Sequence, residues 1–426
     1  MYNIVELFSG IGSQAKALKN LGIEVNTLGT CEWNIHAMIA YDAIHNSPSI
    51  PIDYLLMSKK EILQKLKEYC LSIDGKNKMS FEILSQISLP VLQRIAAAID
   101  RNKNYVDISS LTGAKMPDNI DILTYSFPCQ DLSNVGAFHG YNKGIDKDSG
   151  SRSSLLWQVG RILKEMKENG KCLPRYLLME NVPALLQKRH IQNFNIWIEE
   201  LEELGYISGY YELNAKEFGI KQNRPRLIMI SVYAGDDAIT RDAANKYFLF
   251  RKSDDFVADY KLSDTYKDIP IDSLFRIDYN DPKLLEEAID CTPNDTESRR
   301  KIWEENPQLV LKGNVINREY DYIRTITTKQ DRNPNSGNLY FESGIDGKGK
   351  FRYLTPRECM LFMGFTDEDY ENIVKNNPEI KKGTPLFSRD AIIRMAGNSI
   401  PVKMLEGVFW QIIILDNAIE ELHGQA

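Results

Sequence analysis

Apolar positions along the chain alternate between short β-branched runs and stretches at helical spacing. Residues 4–8 form an apolar run that stops at Ser9-Gly10-Ile11-Gly12. Residues 13–21 follow, with Ala15, Leu18 and Leu21 on one helical face. Strand, glycine turn and helix in that order is how an open α/β sheet begins. Residues 25–31 predict a second strand, ending at Glu32-Trp33, and residues 121–125, 176–179 and 227–232 predict others. The last is continuously apolar, as suits a strand covered on both faces. The alternation resumes at Leu354, with a helix over 356–363 and a final amphipathic helix from about 402 to 419.

Two stretches interrupt this grammar. Residues 47–104 carry two helix-like segments, around 58–71 and 81–98, with no chemistry of their own. Residues 235–350 are poor in periodicity and rich in Asp, Asn, Gly and Tyr, which predicts a separate loop-rich domain. The chain therefore divides into 1–234, with a helical insertion at 47–104, then 235–350, then a returning segment 351–426.

A chain of 426 residues is long enough for two domains, and 43% hydrophobic residues exclude wholesale disorder. The six cysteines include no CxxC pair and no neighbouring histidine cluster, which excludes the usual metal-site spacings and makes a disulfide framework improbable in a chain this long. The first residues lack a signal-peptide pattern, and no run approaches the roughly 20 apolar residues of a membrane span. The expectation is a soluble, cytoplasmic protein with no metal and no membrane partner. A net charge of -7 argues, taken alone, against a nucleic-acid partner.

The candidate chemistry says otherwise. Gly10-Ile11-Gly12-Ser13-Gln14-Ala15 fits the G-x-G-x-x-G/A fingerprint, with Glu32 at the usual distance for a ribose-binding carboxylate and Trp33 offering a flat apolar surface. This motif alone does not separate a nicotinamide cofactor from S-adenosylmethionine. Pro128 cannot continue a strand ladder, so Cys129 sits on the loop leaving the carboxyl end of the sheet, where ligands bind in such folds. A thiol there becomes a usable thiolate when cations or helix ends lower its pKa. Glu180 follows another strand end, and in a partly dry pocket it would hold a raised pKa and donate a proton to a ring nitrogen. Arg224 and Arg226 stand at alternate positions before a strand, suited to a carbonyl oxygen, carboxylate or phosphate. The bland alternatives are a packed cysteine, a capping or ion-paired glutamate and a solvated strand edge.

Phe8-Ser9-Gly10-Ile11-Gly12, Pro128-Cys129-Gln130, Glu180-Asn181-Val182, Gln222-x-Arg224-x-Arg226 and Gly397-Asn398-Ser399-Ile400-Pro401-Val402 occur in that order. With Leu354 to Cys359 and Met363-Gly364-Phe365, the set resembles the DNA (cytosine-5)-methyltransferase family. The resemblance covers about 1–46, 105–232 and 352–420 and removes the nicotinamide reading. It implies the Rossmann-like fold of S-adenosylmethionine-dependent methyltransferases: a mixed sheet with helices on both faces, plus a smaller target-recognition domain at 235–350. It also implies that Phe8, Gly10, Ile11, Gly12, Glu32, Trp33, Asp107, Ile108, Pro128, Leu155, Asn398 and Ser399 hold S-adenosylmethionine. Cys129 would add to cytosine C6, Glu180 would act at N3, and Arg226, with Arg224, would sit at O2.

The cytosine must leave the duplex to meet the thiolate. The Gly/Ser/Asp-rich stretch after Cys129, through Gly136 and Gly150, resembles the family's catalytic loop, with Gln130, Ser133 and Arg152 as DNA contacts. Charge is uneven in 235–350. Residues 234–298 hold 8 basic and 16 acidic side chains, whereas 299–350 hold 10 basic and 7 acidic. DNA contact is therefore expected around Arg299, Arg300, Lys312, Arg318, Arg324, Lys329 and Arg332, and Thr325-Ile326-Thr327 resembles the small Thr-containing signature of such regions, which adds Thr325 and Thr327. The implied enzyme is bacterial and monomeric, either solitary or the modification half of a restriction system whose endonuclease acts separately. The alternative within the family is a tRNA cytosine-5 methyltransferase. A catalytically dead binding module is the rival from another class, and the joint presence of Cys129, Glu180, Arg224 and Arg226 speaks against it.

Overall fold

The computed structural model describes all residues except 47–48, 130–131, 133–144, 146–151, 307, 313–314, 318–320, 376 and 426. Its central sheet has six strands: β1 (Tyr2–Leu7), β2 (Val25–Cys31), β3 (Ile122–Tyr125), β4 (Tyr176–Asn181), β5 (Tyr206–Asn214) and β6 (Pro225–Tyr233). Their spatial order is β2-β1-β3-β4-β6-β5. The first four run parallel, β6 is antiparallel to β4, and β5 is antiparallel to β6.

Both faces of the inner strands β3, β4 and β6 are buried, which is why these strands read as continuous apolar runs. Successive residues point to opposite faces. Ile4, Ile122, Leu178 and Ile230 accordingly join one core, while Val5, Leu123, Leu177 and Met229 join the other. The first core is covered by α1 (Ser13–Asn20), α2 (Ile35–His45) and helices of the insertion: α3 (Ile52–Leu56), α4 (Lys59–Leu66), α5 (Phe81–Gln86) and α6 (Leu89–Arg101). The second is covered by α7 (Leu156–Glu168) and α8 (Ile191–Leu204). Trp197 of α8 is fully buried, with Tyr125 and Trp157 edge-on at 5.9 and 6.1 Å. Such pairs contribute about 0.5–1.5 kcal/mol each beyond their area, and here they fix the end of β3.

The sheet departs from the sequence pattern in three places. α2 is buried all round and so lacks an amphipathic period, which hides it from a periodicity reading. β5 is interrupted by Gly209 and Glu212 and carries no clean run. β4 continues through Glu180 and Asn181, so these two lie on the strand itself. In the insertion, the expected 58–71 segment is one shorter helix, α4, with α3 preceding it, and the expected 81–98 segment is two, α5 and α6; Ser58, Ser80 and Ser88 stand at the N-caps, the last before Pro90.

Residues 235–350, expected to be loop-rich, hold helices and strands between their loops. They contain α9 (Ala238–Phe250), α10 (Ser253–Lys261), α11 (Pro282–Asp290) and α12 (Glu297–Glu305). α9 and α10 pack on β5 and on the last helix, burying Ala243, Ala244, Phe256 and Tyr260 in the first core. β7 (Gln308–Lys312), β8 (Val315–Asn317), β9 (Asn338–Tyr340) and β10 (Phe351–Tyr353) form a second sheet in the order β10-β9-β7-β8. β10 lies beyond residue 350, so the expected boundary there cuts through a sheet. The chain then runs through α13 (Pro356–Leu361), α14 (Asp367–Val374), α15 (Arg389–Asn398) and α16 (Val402–Gln425). α16 lies along α1, with Asn20 donating to Glu406 at 2.7 Å and the Tyr2 hydroxyl donating to Asp416 at 2.7 Å. The end of the chain thus closes against its beginning.

Candidate active site

Strand register builds the site. Leu7 stands beside Cys31 and Tyr125, and Tyr125 beside Met179. Phe8, Glu32, Ser126 and Glu180, each one residue further on, therefore emerge along one rim at the carboxyl ends of the parallel strands. Gly10 and Gly12 both have positive φ, 55° and 80°, and Phe8 shares that left-handed region at 57°. No atom lies within 4 Å of where a Gly10 Cβ would be. A ligand can therefore approach that backbone closely. Glu32 accepts from Gly10 N at 3.1 Å and from Asn34 N at 2.8 Å, which locks the carboxylate against the glycine turn.

The turn is braced from behind. Tyr41 donates to buried Glu6 at 2.6 Å, its ring lies 4.6 Å from that of His45, and His45 Nε2 meets Ile11 O at 3.0 Å. Burial lowers the His45 pKa to about 4, so the ring is neutral at physiological pH and donates through Nε2. A Cβ on Gly12 would lie 2.2 Å from His45 Nε2 and 2.7 Å from the Tyr41 ring. Gly12→Ala should therefore destabilise the fold by about 2–5 kcal/mol, from the left-handed strain and the overpacking together. Loss of cofactor affinity in calorimetry should accompany it; an unchanged melting temperature would contradict this packing argument.

The remaining cofactor candidates fall around the same rim to different degrees. Asn104 binds both the N–H and the carbonyl of Glu32, at 3.0 Å each, and so delivers the following Asp107-Ile108 beside it. Ile108 itself is buried, and its carbonyl accepts from Arg161. Trp33 is half-buried, Leu155 precedes α7 and packs on the second core, and Pro128 adjoins Cys129. Asn398 is exposed at the end of α15, while Ser399 bonds back to Met395 O.

Cys129 leaves β3 on a loop held by two side chains that the sequence reading did not single out. Asn181 donates to Phe127 O at 3.1 Å, and buried Ser153 donates to Pro128 O at 2.6 Å. The Glu-Asn-Val motif contained Asn181 as a signal; nothing local marked Ser153. Glu180 Oε1 lies 2.7 Å from Arg226 Nε, both side chains being nearly buried. The antiparallel β6 brings this about, because Leu227 pairs with Asn181 and sets Arg226 at the rim. Burial pushes the Glu180 carboxyl above its usual range despite the opposing pull of Arg226 and Arg224. Burial likewise raises the Cys129 thiol, Arg226 draws it down, and Glu180 raises it again.

Arg224 makes contacts that its sequence position did not announce. Its Nη1 donates to Ile326 O at 2.7 Å and its Nη2 to Gly397 O and Ser399 O at 2.8 Å each. The guanidinium thus staples the 326 and 397–399 segments to the start of β6 and acts as a positioning group. Gln222, also buried, does the same with Phe362 O, Met363 and Ile326 N.

The expected DNA contacts separate. Thr325 donates to Asn223 O and Thr327 to Lys329 O, so both hydroxyls help dock the segment. Arg324, Lys329 and Arg332 are exposed, with Arg324 also reaching Asn306 at 3.1 Å. Arg299 is paired with Asp331 and Arg300 with Asp295. Gln130, Ser133, Arg318 and the side chains of Arg152 and Lys312 lie outside the described residues, as does most of the expected catalytic loop. Among the described residues, no helix is long and apolar enough to cross a membrane, and no group of three metal-ligating side chains is found.

Known proteins resemble this chain in sequence and in fold. The orphan methyltransferase M.SssI of Spiroplasma monobiae is 39% identical over 232 residues, covering 54% of this chain and 58% of that one. The type II methyltransferase M2.ScrFI of Lactococcus lactis subsp. cremoris is 31% identical over 414 residues, covering 97% and 99%. Among solved structures, the Dnmt2 methyltransferase of S. pombe shares the fold, with a TM-score of 0.58 at 16% identity over 98% of this chain and 100% of that one. EhMeth of Entamoeba histolytica does so with a TM-score of 0.55 at 12% identity over 97% and 99%. The model of the C-5 cytosine-specific DNA methylase family matches residues 85–413, and the chain belongs to that family as a DNA (cytosine-5) methyltransferase.

Proposed function

We propose that this chain transfers a methyl group from S-adenosylmethionine to C5 of a cytosine turned out of duplex DNA, through a covalent bond between Cys129 Sγ and C6. The observation that carries the reading is the Glu180–Arg226 pair, 2.7 Å apart and nearly buried, at the same rim as Cys129 and the glycine turn. The residues fit the cofactor. Open space faces Gly10, Glu32 keeps free lone pairs for a ribose hydroxyl, and Trp33 offers a partly exposed ring. When bound, S-adenosylmethionine supplies a methyl group activated by a sulfonium.

The side chains divide the remaining work. Cytosine C5 is a poor nucleophile inside an aromatic ring. Addition of the Cys129 thiolate to C6 releases the C5–C6 π electrons toward C5. Glu180, whose hold on a proton burial strengthens, protonates N3 so that the ring does not accumulate negative charge. Arg226, oriented by Glu180, faces O2. After methylation, solvent water takes the C5 proton, the C5–H electron pair re-forms the C5–C6 π bond and expels Sγ as a thiolate, and N3 returns its proton to Glu180.

Residues near 323–332 face the duplex as part of the recognition region, and the enzyme works either alone or beside a separately acting endonuclease. Incubation with labelled S-adenosylmethionine and duplexes of varied sequence should place the label on C5 of cytosine within one short sequence. Labelling of tRNA but not DNA would overturn the reading.

A further inference from the structure

Gln330 is 3% exposed, yet neither its Oε1 nor its Nε2 has a hydrogen-bond partner among the described residues. Burying a carboxamide with both ends unpaired is unfavourable, and an apolar side chain of similar shape would occupy the position with less penalty. A polar group kept in that state asks for a partner that arrives later.

Its surroundings identify the partner's chemistry. The segment is fastened on both sides of Gln330: Thr327 donates to Lys329 O at 2.7 Å, and Arg299 donates to Asp331 O and Oδ2 at 2.6 and 3.0 Å. Upstream it is tied to the catalytic strand, with Ile326 N donating to Gln222 Oε1 at 3.0 Å and Arg224 donating to Ile326 O at 2.7 Å. Gln330 is four residues from Ile326, so at most about 14 Å separates their Cα atoms. That is about four base-pair steps of roughly 3.4 Å. Arg324, Lys329 and Arg332 stand exposed around it, cations of the kind that grip phosphates and set register. The amide adds what they lack, a donor and an acceptor in one plane.

We infer that Gln330 is a base-reading residue, whose carboxamide, closed off in the free protein, swings out on DNA binding and pairs with a purine edge that presents an acceptor beside a donor. The inference rests on the proposed action on duplex DNA. Two edges carry that chemistry: adenine N7 and N6 in the major groove, and guanine N3 and N2 in the minor groove.

The test pairs Gln330→Met with the wild-type enzyme. Methionine keeps the length and removes both polar atoms, so the melting temperature should hold or rise. Discrimination in kcat/KM should fall by about 5–150-fold at one position of the methylated sequence and hold at the others. Wild-type enzyme should lose a similar factor on duplexes with 7-deazaadenine at that position if adenine is read, or with inosine if guanine is read. A folded Gln330→Met enzyme that discriminates normally at every position overturns the inference. So does indifference of the wild type to both analogues at every purine, which decides the matter even if the variant does not fold. A wild type that methylates no duplex removes the proposed function, and this inference with it.

Discussion

Replacing Cys129 with serine is expected to lower methyl transfer by at least about 10³-fold while leaving the fold and cofactor affinity intact. The side chain is only partly buried and packs in no core cluster, so loss of the larger sulfur leaves little cavity. Asn181 and Ser153 hold the loop through backbone carbonyls of Phe127 and Pro128, which the substitution does not touch. What changes is the nucleophile. Burial raises the thiol's pKa and Arg226 offsets part of that rise. The same cation does little for a serine hydroxyl, which ionises far less readily than a thiol. Single-turnover transfer of a labelled methyl group measures the rate. A duplex carrying 5-fluorocytosine isolates the step, because the C5 substituent can no longer leave as a proton. Wild type should form a stable covalent complex with it and Cys129→Ser none. A serine variant with full activity would sink the covalent mechanism.

Much of the site was legible because it lies where the chain changes its period. Gly10, Cys129 and Glu180 each stand at or just past the end of a buried apolar strand, and parallel register carries those ends to one rim. The partnership of Glu180 with Arg226 was not legible. It depends on β6 running antiparallel to β4, and the apolar pattern of residues 227–232 is silent on direction. The stapling contacts of Arg224 were hidden for a related reason. Its three carbonyl partners lie at 326, 397 and 399, more than 100 residues away in sequence, so no local spacing announces them. The helices of 238–261 escaped because a few small or widely spaced residues, Ala243, Ala244, Phe256 and Tyr260, do the burying.

The acidic total also takes a spatial meaning. Asp242, Asp254, Asp255 and Asp259 belong to helices that pack on β5, the edge strand of the sheet, and on α16. The exposed cations at 324, 329 and 332 ride on a segment docked to residues 221–226, beside the catalytic rim. DNA responds to such local fields, so a net charge of -7 and a binding face for DNA are compatible.

Glu180→Gln should lower kcat by about 10²–10⁴-fold, the usual contribution of a positioned general acid. Glutamine has the same shape but cannot yield a proton to N3, and its amide turns either a poorer acceptor or a second donor toward Arg226 Nε. The sign of the pH effect follows from burial. The Glu180 pKa is raised, so the acid form persists to higher pH than for an ordinary glutamate and is lost as pH rises through that value. Wild-type kcat should fall along that limb, and the variant should lack it. A second readout separates chemistry from damage to the fold. The Glu180 charge raises the Cys129 pKa and Arg226 lowers it, so removing the carboxylate leaves the cation unopposed and increases the thiolate fraction. Alkylation of Cys129 by iodoacetamide should therefore quicken in Glu180→Gln even as methyl transfer slows. A distorted site would slow both or leave the thiol unchanged, whereas a variant that keeps wild-type kcat or keeps the falling limb would remove Glu180 from the role of acid.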